Sequence, residues 1–474
     1  MHRDNAAQLK GRIQETLGPK GIVEDAGQLE SMTRPWRDKW ISEPALVVQP
    51  ASTAEVQAVV RICRDLGFPI VPQGGNTGVT GAALCRAGGT ELLLSLRRMN
   101  SIRDLDVDDD MLVAEAGCIL NDVKDAAAKV GRLFPLSLGA QGSCMIGGNI
   151  ASNAGGINAL RYGPMRSMVA GLEVVTASGE IWSSLKLLRK DNSGYDLKQL
   201  FIGSEGTLGV ITAATLKLSM LPARSATAIV AVGSPAEAIS WFRKVKEAFG
   251  GQLTACELIE RICIDVTAAR IPGVVDPLQA RYPWYVLLEV DSLDADADLE
   301  GRLGALFEEA YDSGVVLDGV IASSGAQAQA LWHLRESIGE AHRHEGVSFK
   351  HDISVPVSKV PTFIAEAQLK LSEQFPGIRS FAFGHMGDGN IHFNPLQADG
   401  EPAEDWAGRL AAINRITHDI TVKLGGSITA EHGVGQLRRD ELVRYKNPLE
   451  IQMMQSIKNV LDPAGLFNPG KLLP

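Results

Sequence analysis

Three glycine-rich strings in the first half of the chain restrict its fold more than any other feature. They read Pro-Gln-Gly-Gly-Asn-Thr-Gly at 72–78, a longer glycine-asparagine segment at 139–156, and Gly-Ser-Glu-Gly-Thr-Leu-Gly at 203–209. Glycine lets the backbone adopt positive φ and approach a ligand closely. Successive exposed N–H groups then form a concave anion site that can hold a pyrophosphate. The strings therefore favour a protein that wraps a phosphate-bearing cofactor.

The same strings exclude two common nucleotide-binding motifs. None of them fits Gly-x-Gly-x-x-Gly, and the P-loop pattern Gly-x-x-x-x-Gly-Lys-Ser/Thr is not present. A standard Rossmann nicotinamide enzyme and a P-loop protein are both disfavoured. Any single string could be an ordinary tight turn in a chain with 49 glycines. Three strings with interleaved Asn, Ser and Thr donors favour a cofactor site.

Length, charge and cysteine content limit the number of domains, the class of partner and the cellular compartment. A chain of 474 residues predicts two or three domains. With 46 Lys and Arg against 56 Asp and Glu, the net charge of −10 disfavours nucleic acid or an anionic membrane as the main partner. The first 18 residues have no apolar core for a signal peptide, and no apolar run is long enough to span a membrane. Six cysteines without a Cys-x-x-Cys pair indicate buried thiols, so we expect a cytoplasmic protein.

Local periodicity predicts a change of architecture near Pro222. Short strands and helices alternate before it, from the strand at Leu46 to the strand that ends at Leu218. After it, strands alternate with longer helices, which predicts an α+β insert whose sheet is covered on one side. The tail is expected to be helical at 406–425 and 449–461, and it ends in glycine-proline turns.

A second group of residues, at 384–394, contains candidate metal ligands. Residues 384–394 read Gly-His-Met-Gly-Asp-Gly-Asn-Ile-His-Phe-Asn. Asp388-Gly389 is a favoured two-residue hairpin turn, which would set His385 directly opposite His392. Asn394 would then point to the same side as His392. These are also residue types of ordinary buried turns, so a purely structural role stays open at this point.

The ligand set would be completed further along the chain. Glu431 would add a carboxylate to the two histidines, which gives the donor set and open positions that catalytic zinc prefers. Manganese or iron(II) would accept the same ligands. His432 follows directly as a spare imidazole that could act as an acid or base.

The glycine strings resemble those of the flavoproteins of the vanillyl-alcohol oxidase and p-cresol methylhydroxylase superfamily, from about residue 40 to the C-terminus. The resemblance implies an α+β fold with a two-part FAD-binding domain, an α+β substrate (cap) domain and a helical C-terminal segment. The domains implied are an N-terminal helical segment at 1–40, the FAD-binding domain at 41–221, the cap at 222–425 with the metal-site hairpin, and a segment at 426–474 that completes the active site. Residues 73–81 contain neither histidine nor cysteine, so we expect the FAD to be bound non-covalently.

The resemblance assigns the cofactor to residues of the three strings. The candidate FAD-binding residues are Pro72, Gln73, Gly74, Gly75, Asn76, Thr77, Gly78, Gly139, Gly142, Gly147, Gly148, Asn149, Ser152, Asn153, Gly156, Glu205, Gly206, Gly209 and Ile211.

The candidate metal ligands and the histidine after them resemble a motif of the D-2-hydroxyacid dehydrogenase branch of this superfamily. The resemblance is strongest to the hydroxyglutarate enzymes of that branch. In that branch the positions matching His385, His392 and Glu431 hold the metal, and the position matching His432 is the catalytic base. The matching arginine and lysine bind a substrate carboxylate, as guanidinium and ammonium groups do well; they are Arg335 and Lys350, with Asn394 as a further substrate-binding candidate.

One departure from the branch concerns specificity. The hydroxyglutarate enzymes are expected to have threonine four residues after the arginine, where this chain has Gly339. The loss of a hydroxyl donor weakens the case for a five-carbon diacid against lactate, malate or a larger hydroxyacid.

The resemblance implies oxidation of a D-2-hydroxyacid to the 2-oxoacid, with hydride transfer to flavin N5 and His432 as general base. D-2-hydroxyglutarate or D-malate is favoured as substrate, with D-lactate or glycolate as the alternative. Electron-transferring flavoprotein or a quinone would be the electron acceptor, and a homodimer is compatible with the sequence. Three rival hypotheses are an oxygen-using flavin oxidase, a metal-dependent hydrolase whose glycine strings are only turns, and a flavin-holding subunit without its own base.

Overall fold

The computed structural model describes residues 2–34 and 42–474, and these form two compact units. Unit 1 comprises Met1–Gly155, Pro164–Leu221 and Glu431–Pro474, and unit 2 comprises Gly156–Gly163 and Pro222–Ala430. The change of architecture predicted near Pro222 coincides with the start of the main part of unit 2. The C-terminal part of unit 1 begins at Glu431, five residues after the start predicted for the last segment. Positions 35–40 of the predicted N-terminal segment lie outside the described residues.

Unit 1 contains two sheets and one short strand pair. Its strands, numbered in chain order, are β1 (Leu46–Val48), β2 (Ile70–Gln73), β3 (Leu92–Ser95), β4 (Ile102–Asp106), β5 (Met111–Glu115), β6 (Arg132–Leu133), β7 (Val169–Val175), β8 (Ile181–Ser184), β9 (Val210–Lys217) and β10 (Ser219–Met220). A three-stranded parallel sheet has the order β1-β3-β2, and a five-stranded antiparallel sheet has the order β4-β5-β9-β7-β8. Strands β6 and β10 pair with each other.

The helices of unit 1 connect and cover these strands. They span His2–Leu17, Ala26–Thr33, Thr53–Leu66, Leu120–Ala128, Ile146–Ala151, Met165–Met168, Lys198–Phe201, Arg439–Tyr445 and Pro448–Leu461. The helix at Thr53–Leu66 begins where the Ser52 hydroxyl accepts the backbone N–H of Glu55, and it ends at Gly67 in the left-handed conformation. Its apolar residues lie on one stripe, which is buried.

Unit 2 is built on one seven-stranded antiparallel sheet of order β14-β11-β13-β12-β16-β17-β15. Its strands are β11 (Arg224–Val232), β12 (Leu253–Glu260), β13 (Trp284–Ser292), β14 (Asp318–Ile321), β15 (His351–Ser354), β16 (Ala382–Gly384) and β17 (Asn390–Phe393). Its helices span Ala159–Tyr162, Pro235–Phe249, Arg261–Arg270, Leu299–Asp312, Gly325–Ala341, Val360–Gln374, Ala403–Ala407 and Leu410–Lys423.

The prediction that this sheet is covered on one side is wrong. Val230 and its alternate neighbours pack into a core with the helices at 235–249, 299–312 and 360–374. Ile229 and its alternate neighbours pack into a second core with the helices at 261–270 and 325–341. Because side chains alternate along a strand, both faces of the sheet are buried. The central strands are accordingly continuous apolar runs. Their sequence therefore lacks the alternation of apolar and polar residues that marks a strand with one exposed face.

None of the described helices is long and apolar enough to cross a membrane. All six cysteines are buried free thiols.

Candidate active site

The three glycine strings meet around one cavity in unit 1. The empty space at this site, with its open mouth included, is about 890 Å³. Its lining comprises Pro72, Gln73, Gly74, Gly75, Asn76, Thr77, Gly78, Thr80, Ala82, Ala83, Leu96, Met145, Gly147, Gly148, Asn149, Ala151, Ser152, Glu205, Gly206, Gly209, Ile211 and His432.

Most of the predicted cofactor residues therefore lie together. Four of them, Gly139, Gly142, Asn153 and Gly156, are not among the described residues that line the cavity. The side-chain oxygen of Asn153 instead accepts the backbone N–H of Arg166 at 2.9 Å. Gly156 belongs to unit 2.

Close backbone packing explains why glycine occurs in these strings. A Cβ atom on Gly75 would collide with the carbonyl oxygen of Ser143, so the first string lies directly against the second. A Cβ atom on Gly147 would lie 2.7 Å from the Cβ of Ala116 in the strand–turn before it. These glycines bring main chain to the cavity wall, where its N–H groups can face a pyrophosphate.

The cavity also presents polar groups suited to a cofactor. Gln73 is 1% exposed, and its amide nitrogen donates to the carbonyl oxygens of Met32 and Ala83 at 2.9 and 2.8 Å. Its amide oxygen has no hydrogen-bond partner among residues 2–34 and 42–474. A buried acceptor without a partner costs free energy unless a ligand supplies a donor. The open acceptor of Gln73 and the closely approaching backbone together fit FAD.

Glu205 holds the loop that contains His432. The Glu205 carboxylate accepts the backbone N–H groups of Val434 and Gly435, each at 2.7 Å. The hydroxyl of Thr80 donates to the carbonyl oxygen of His432 at 3.5 Å. Glu205 lies on the cavity wall, as predicted for a cofactor residue, but both of its carboxylate oxygens are used by this loop.

The C-terminal turn, part of the segment at 426–474 that was predicted to complete the active site, supports the same wall. The amide nitrogen of Asn468 donates to the carbonyl oxygen of Glu205 at 2.6 Å and to that of Ala82 at 3.0 Å. The Lys471 ammonium donates to the side-chain oxygen of Asn468 at 2.6 Å, and burial lowers the pKa of Lys471 to about 8.

In unit 2 the predicted hairpin register is wrong, although the two histidines still meet. Strand β16 pairs with β17 so that Phe383, and not His385, lies opposite His392. A 3-10 turn over Met386–Asp388, with Gly389 at φ 85°, lengthens the connection. The register is displaced by two residues, which keeps each side chain on its predicted face. The rings of His385 and His392 are 5.6 Å apart between centroids.

Strand register places the other candidates of unit 2 on that same face. Asp352 in β15 lies directly opposite His392 in β17, and Leu258 in β12 lies opposite Gly384 in β16. Alternation then puts Glu257, one residue before Leu258, on the face of His385. Two further candidates, Lys350 and Asn394, lie two residues beyond the Asp352–His392 pair. Their side chains therefore point to the same face of the sheet as that pair. The helix Gly325–Ala341, which contains Arg335, packs on this face.

Glu257 is the central member of this group, and the sequence reading missed it. One of its oxygens accepts Nε of Arg335 at 2.7 Å, and the other lies 2.7 Å from Nδ1 of His385. Burial alone would raise the pKa of this carboxyl, but the charges and hydrogen bonds of Arg335 and His385 outweigh it and hold the pKa at about 2. The guanidinium of Arg335 also lies 4.9 Å from the centroid of the Phe383 ring.

A second carboxylate, Asp352, accompanies His392. Asp352 is fully buried, and its Oδ1 accepts the side-chain N–H of Asn390 at 3.0 Å and lies 3.8 Å from Nδ1 of His392. The backbone N–H of Ala430 donates to the carbonyl oxygen of Asp352 at 3.0 Å. Ala430 directly precedes Glu431 and His432 in the chain, and these two belong to unit 1. Imidazole and carboxylate groups such as those of His392 and Asp352 are donor types that zinc accepts.

The two remaining candidates flank this group. The side-chain oxygen of Asn394 accepts the backbone N–H of His351 at 3.0 Å, which leaves its amide nitrogen as the group that could face a substrate. Lys350 is half-buried and immediately precedes β15. His351 beside it is held by contacts of Nδ1 with the Phe393 carbonyl oxygen at 2.9 Å and of Nε2 with the Asn414 side-chain oxygen at 3.0 Å.

Two family models match most of the chain. The FAD binding domain matches residues 44–184, and the C-terminal domain of FAD linked oxidases matches residues 221–472.

Curated relatives are similar to nearly the whole of this chain. D-2-hydroxyglutarate dehydrogenase of Xanthomonas citri pv. viticola is 39% identical over 97% of this chain and 96% of the relative. The enzyme of the same name from Stutzerimonas stutzeri is 38% identical over 98% of both chains. The mitochondrial D-2-hydroxyglutarate dehydrogenase of Bos taurus is 37% identical over 97% of this chain and 82% of the relative.

Solved structures share the fold. p-Cresol methylhydroxylase with bound substrate superposes with a TM-score of 0.77 at 15% identity, over 99% of this chain and 97% of that one. The 4-ethylphenol oxidase of Gulosibacter chungangensis superposes with a TM-score of 0.74 at 18% identity, over 99% and 97%. At such identities the likeness establishes the α+β fold of this superfamily.

Proposed function

This chain belongs to the FAD-linked oxidases of the vanillyl-alcohol oxidase/p-cresol methylhydroxylase type, in the branch of the D-2-hydroxyglutarate dehydrogenases, and from that membership we propose that it is an FAD- and metal-dependent dehydrogenase of D-2-hydroxyacids. The product is the 2-oxoacid. The favoured substrates are D-2-hydroxyglutarate and D-malate, with D-lactate or glycolate as the alternative.

One observation carries the proposal: His432 lines the same cavity as the three glycine strings. An imidazole is the side chain best suited to accept a proton near neutral pH. A base at the wall of a flavin cavity is what oxidation of an alcohol requires, since the hydroxyl must lose a proton as Cα loses hydride. FAD, when bound, supplies the acceptor for that hydride.

The proposed metal ligands are His385, His392 and Glu431. The bond between His385 Nδ1 and Glu257 supports this role, because a metal-binding histidine usually donates its other ring N–H to a carboxylate. Glu431 is proposed from the match of its motif with the branch. A bound divalent ion, Zn²⁺ in first place and Mn²⁺ or Fe²⁺ as alternatives, supplies a Lewis acid for the hydroxyacid oxygens.

The remaining residues bind and orient the substrate. His432 takes the hydroxyl proton. Arg335, whose Nε and Nη2 face Glu257, can offer its remaining guanidinium N–H groups to a substrate carboxylate, and Lys350 adds a second positive charge. Asn394 contributes its amide nitrogen as a donor. A substrate with a second carboxylate would use both cations, which is why a diacid is favoured.

The proposal extends to the cofactor linkage, the partners and the location. FAD is bound non-covalently, because the first string and the residues after it contain no histidine or cysteine through residue 81. Electron-transferring flavoprotein or a quinone takes the electrons. A homodimer and a cytoplasmic location remain proposals of the sequence, and the buried free cysteines agree with a reducing compartment.

The decisive experiment is a substrate panel of D- and L-2-hydroxyacids with an artificial electron acceptor, before and after chelation. We expect turnover of D-isomers only, loss of turnover on chelation, and recovery when Zn²⁺ or Mn²⁺ is added back. His385→Ala and His392→Ala should each abolish turnover and leave the flavin spectrum unchanged, because these residues lie in unit 2 and not in the cavity of unit 1.

The outcomes separate the rival functions. Full activity after chelation, with peroxide formed in air, would identify an oxygen-using flavin oxidase and remove the metal from the proposal. A colourless protein that hydrolyses esters or amides would identify a metal-dependent hydrolase. Flavin-containing protein that reduces no acceptor with any hydroxyacid would favour a binding subunit.

A further inference from the structure

Glu257 joins two proposed site residues through a single carboxylate. Its side chain is fully buried in the middle of the sheet of unit 2. Oε2 lies 2.7 Å from Nε and 2.6 Å from Nη2 of Arg335, and Oε1 lies 2.7 Å from Nδ1 of His385. No other carboxylate contacts both of these side chains in the hydrogen bonds and ion pairs described for residues 2–34 and 42–474.

The contact with His385 selects one form of the imidazole. An ionised carboxylate can only accept hydrogen bonds, so the proton of a neutral His385 ring must lie on Nδ1. Nε2 then carries the lone pair, and it is the ring atom able to bind a metal. Without the carboxylate, both neutral tautomers would be accessible to the ring.

The contact with Arg335 fixes one edge of the guanidinium. Nε and Nη2 both face the carboxylate, while the face of the group lies over Phe383. A buried arginine that is neutralised on one edge directs its remaining N–H groups in one direction, which suits recognition of a second carboxylate.

We propose that Glu257 is a positioning residue that serves both proposed binding events: it sets the metal-binding tautomer of His385 and the orientation of Arg335 toward the substrate carboxylate. This inference rests on the proposed function, since it takes His385 as a metal ligand and Arg335 as a substrate contact. A purely structural ion pair would contribute to stability without control over either event.

The variant Glu257→Gln tests the proposal with almost no change of shape. Its amide oxygen can still accept from Arg335, but its amide nitrogen then faces Nδ1 of His385 as a donor. Nδ1 must accept, so the ring proton moves to Nε2 and blocks the metal-binding atom. We expect the affinity for Zn²⁺, measured by competition with a chromogenic chelator, to fall about 10- to 100-fold, as for other partners of metal-binding histidines.

Glu260→Gln is the matched control. Glu260 ends the same strand three residues later, and its carboxylate accepts Ser380 Oγ at 2.8 Å and the backbone N–H of Ala382 at 2.9 Å. It has no described contact with His385 or Arg335. We expect its Zn²⁺ affinity to equal that of the wild type. Glu257→Asp, which keeps the charge, should recover part of the affinity that Glu257→Gln loses.

A second readout uses the metal-free protein and needs no turnover. Nitrogen-15 NMR of histidine-labelled protein, with the His385 signals assigned from a His385→Asn variant, reports which ring nitrogen carries the proton. We expect Nδ1–H in the wild type and in Glu260→Gln, and Nε2–H in Glu257→Gln. An Nε2–H form in the wild type, or no change in Glu257→Gln, would overturn the tautomer role.

The Arg335 side is tested at saturating Zn²⁺. There Glu257→Gln should raise KM for D-malate several-fold more than KM for D-lactate, which lacks the second carboxylate. Equal Zn²⁺ affinity and equal KM values in Glu257→Gln and the wild type would overturn the proposal. If the wild type binds no metal at all, the proposed function fails in its metal part, and the NMR measurement still decides the role of Glu257.

Discussion

Glu205 holds Val434 in place, because its Oε1 accepts the backbone N–H of Val434 at 2.7 Å across 229 positions of sequence. Its Oε2 accepts the next N–H, that of Gly435, at the same distance. Glu205 itself adopts a positive φ of 51°, which is uncommon for a residue with a side chain. His432 lies two residues before Val434, so the carboxylate fixes the loop that presents the proposed base to the cavity.

Glu205→Gln should reduce kcat while the protein keeps its flavin. The amide nitrogen would face one of the two loop N–H groups as a second donor, so the loop must shift. A displacement of about 1 Å at a catalytic group can lower the rate roughly 100-fold. Steady-state kinetics and the flavin-to-protein absorbance ratio measure the two effects. Glu173→Gln, a half-buried carboxylate of the same unit that contacts Thr53, Thr212 and Arg103, is the control and should keep normal kcat.

The features that sequence predicted well are those with local signals. The glycine strings indicated their cavity because glycine is demanded by close backbone approach, as at Gly75. The helix predicted at 449–461 spans Pro448–Leu461, since its first-turn proline and its Asn447 cap are both local signals. His385 and His392 still lie close together although the predicted register was displaced by two residues. A shift of two residues leaves each side chain on the same face of the sheet.

The features that sequence missed depend on distant partners. Glu257 stands inside an apolar strand, and nothing near it indicates that Arg335, 78 positions away, will neutralise it. A polar residue in an otherwise buried strand was the one available signal. Glu205 was assigned to the cofactor because its motif is local, whereas its partners Val434 and Gly435 belong to the last segment of the chain. Such contacts follow from the tertiary fold, which local pattern does not specify.

The purified protein should be yellow and should release its flavin on acid precipitation. Among the described residues, those that line the cavity of the three strings include no cysteine and one histidine, His432, which is the proposed base. We therefore expect the flavin absorbance in the supernatant after precipitation with trichloroacetic acid. Flavin that stays in the pellet would contradict non-covalent binding and would point to an attachment residue outside the first string.

His432→Ala should lower kcat by about two to four orders of magnitude, the usual contribution of a positioned acid or base. Metal content should stay normal, because Glu431 and not His432 is the proposed ligand. Metal analysis and single-turnover flavin reduction measure the two quantities separately. If His432→Ala lost its metal but still reduced its flavin, His432 would be the metal ligand and Glu431 the base.

Stability should depend on pH through Glu260. Burial raises the pKa of its carboxyl to about 7 despite the hydrogen bonds from Ser380 and Ala382, whereas in the unfolded chain it titrates near 4.5. The folded state therefore keeps a proton that the unfolded state loses, and the stabilisation present below pH 4.5 is lost as pH rises through 7. Because the side chain is partly exposed, we expect about 2 kcal/mol for this effect, less than the full shift would give.

The variant Glu260→Gln removes this titration. The difference in Tm between the variant and the wild type should be more favourable to the variant at pH 8 than at pH 5. For an effect of this size the change in that difference is roughly 4 °C. Thermal unfolding followed by circular dichroism at both pH values gives the comparison. A Tm difference that is the same at pH 5 and pH 8 would show that Glu260 is ionised in both.

Substrate preference should respond to the residue that follows Arg335 by one helical turn. Gly339 lies four positions after Arg335 in the helix Gly325–Ala341, so the two residues occupy neighbouring positions on the helix surface. A Cβ atom added to Gly339 would meet no atom within 4 Å, and the position is exposed. Gly339→Thr is therefore sterically free, and it adds the hydroxyl that the hydroxyglutarate enzymes are expected to have.

Gly339→Thr should raise kcat/KM for D-2-hydroxyglutarate roughly 3- to 10-fold, the gain of one hydrogen bond to the distal carboxylate, and leave D-lactate unchanged. Gly339→Val is the matched control, because valine has the shape of threonine without the hydroxyl and a similar helix propensity. It should not improve the diacid. Equal effects of threonine and valine would mean that the gain comes from the helix rather than from a donor. An unchanged preference in both variants would place the distal carboxylate away from this turn and leave its recognition to Arg335 and Lys350.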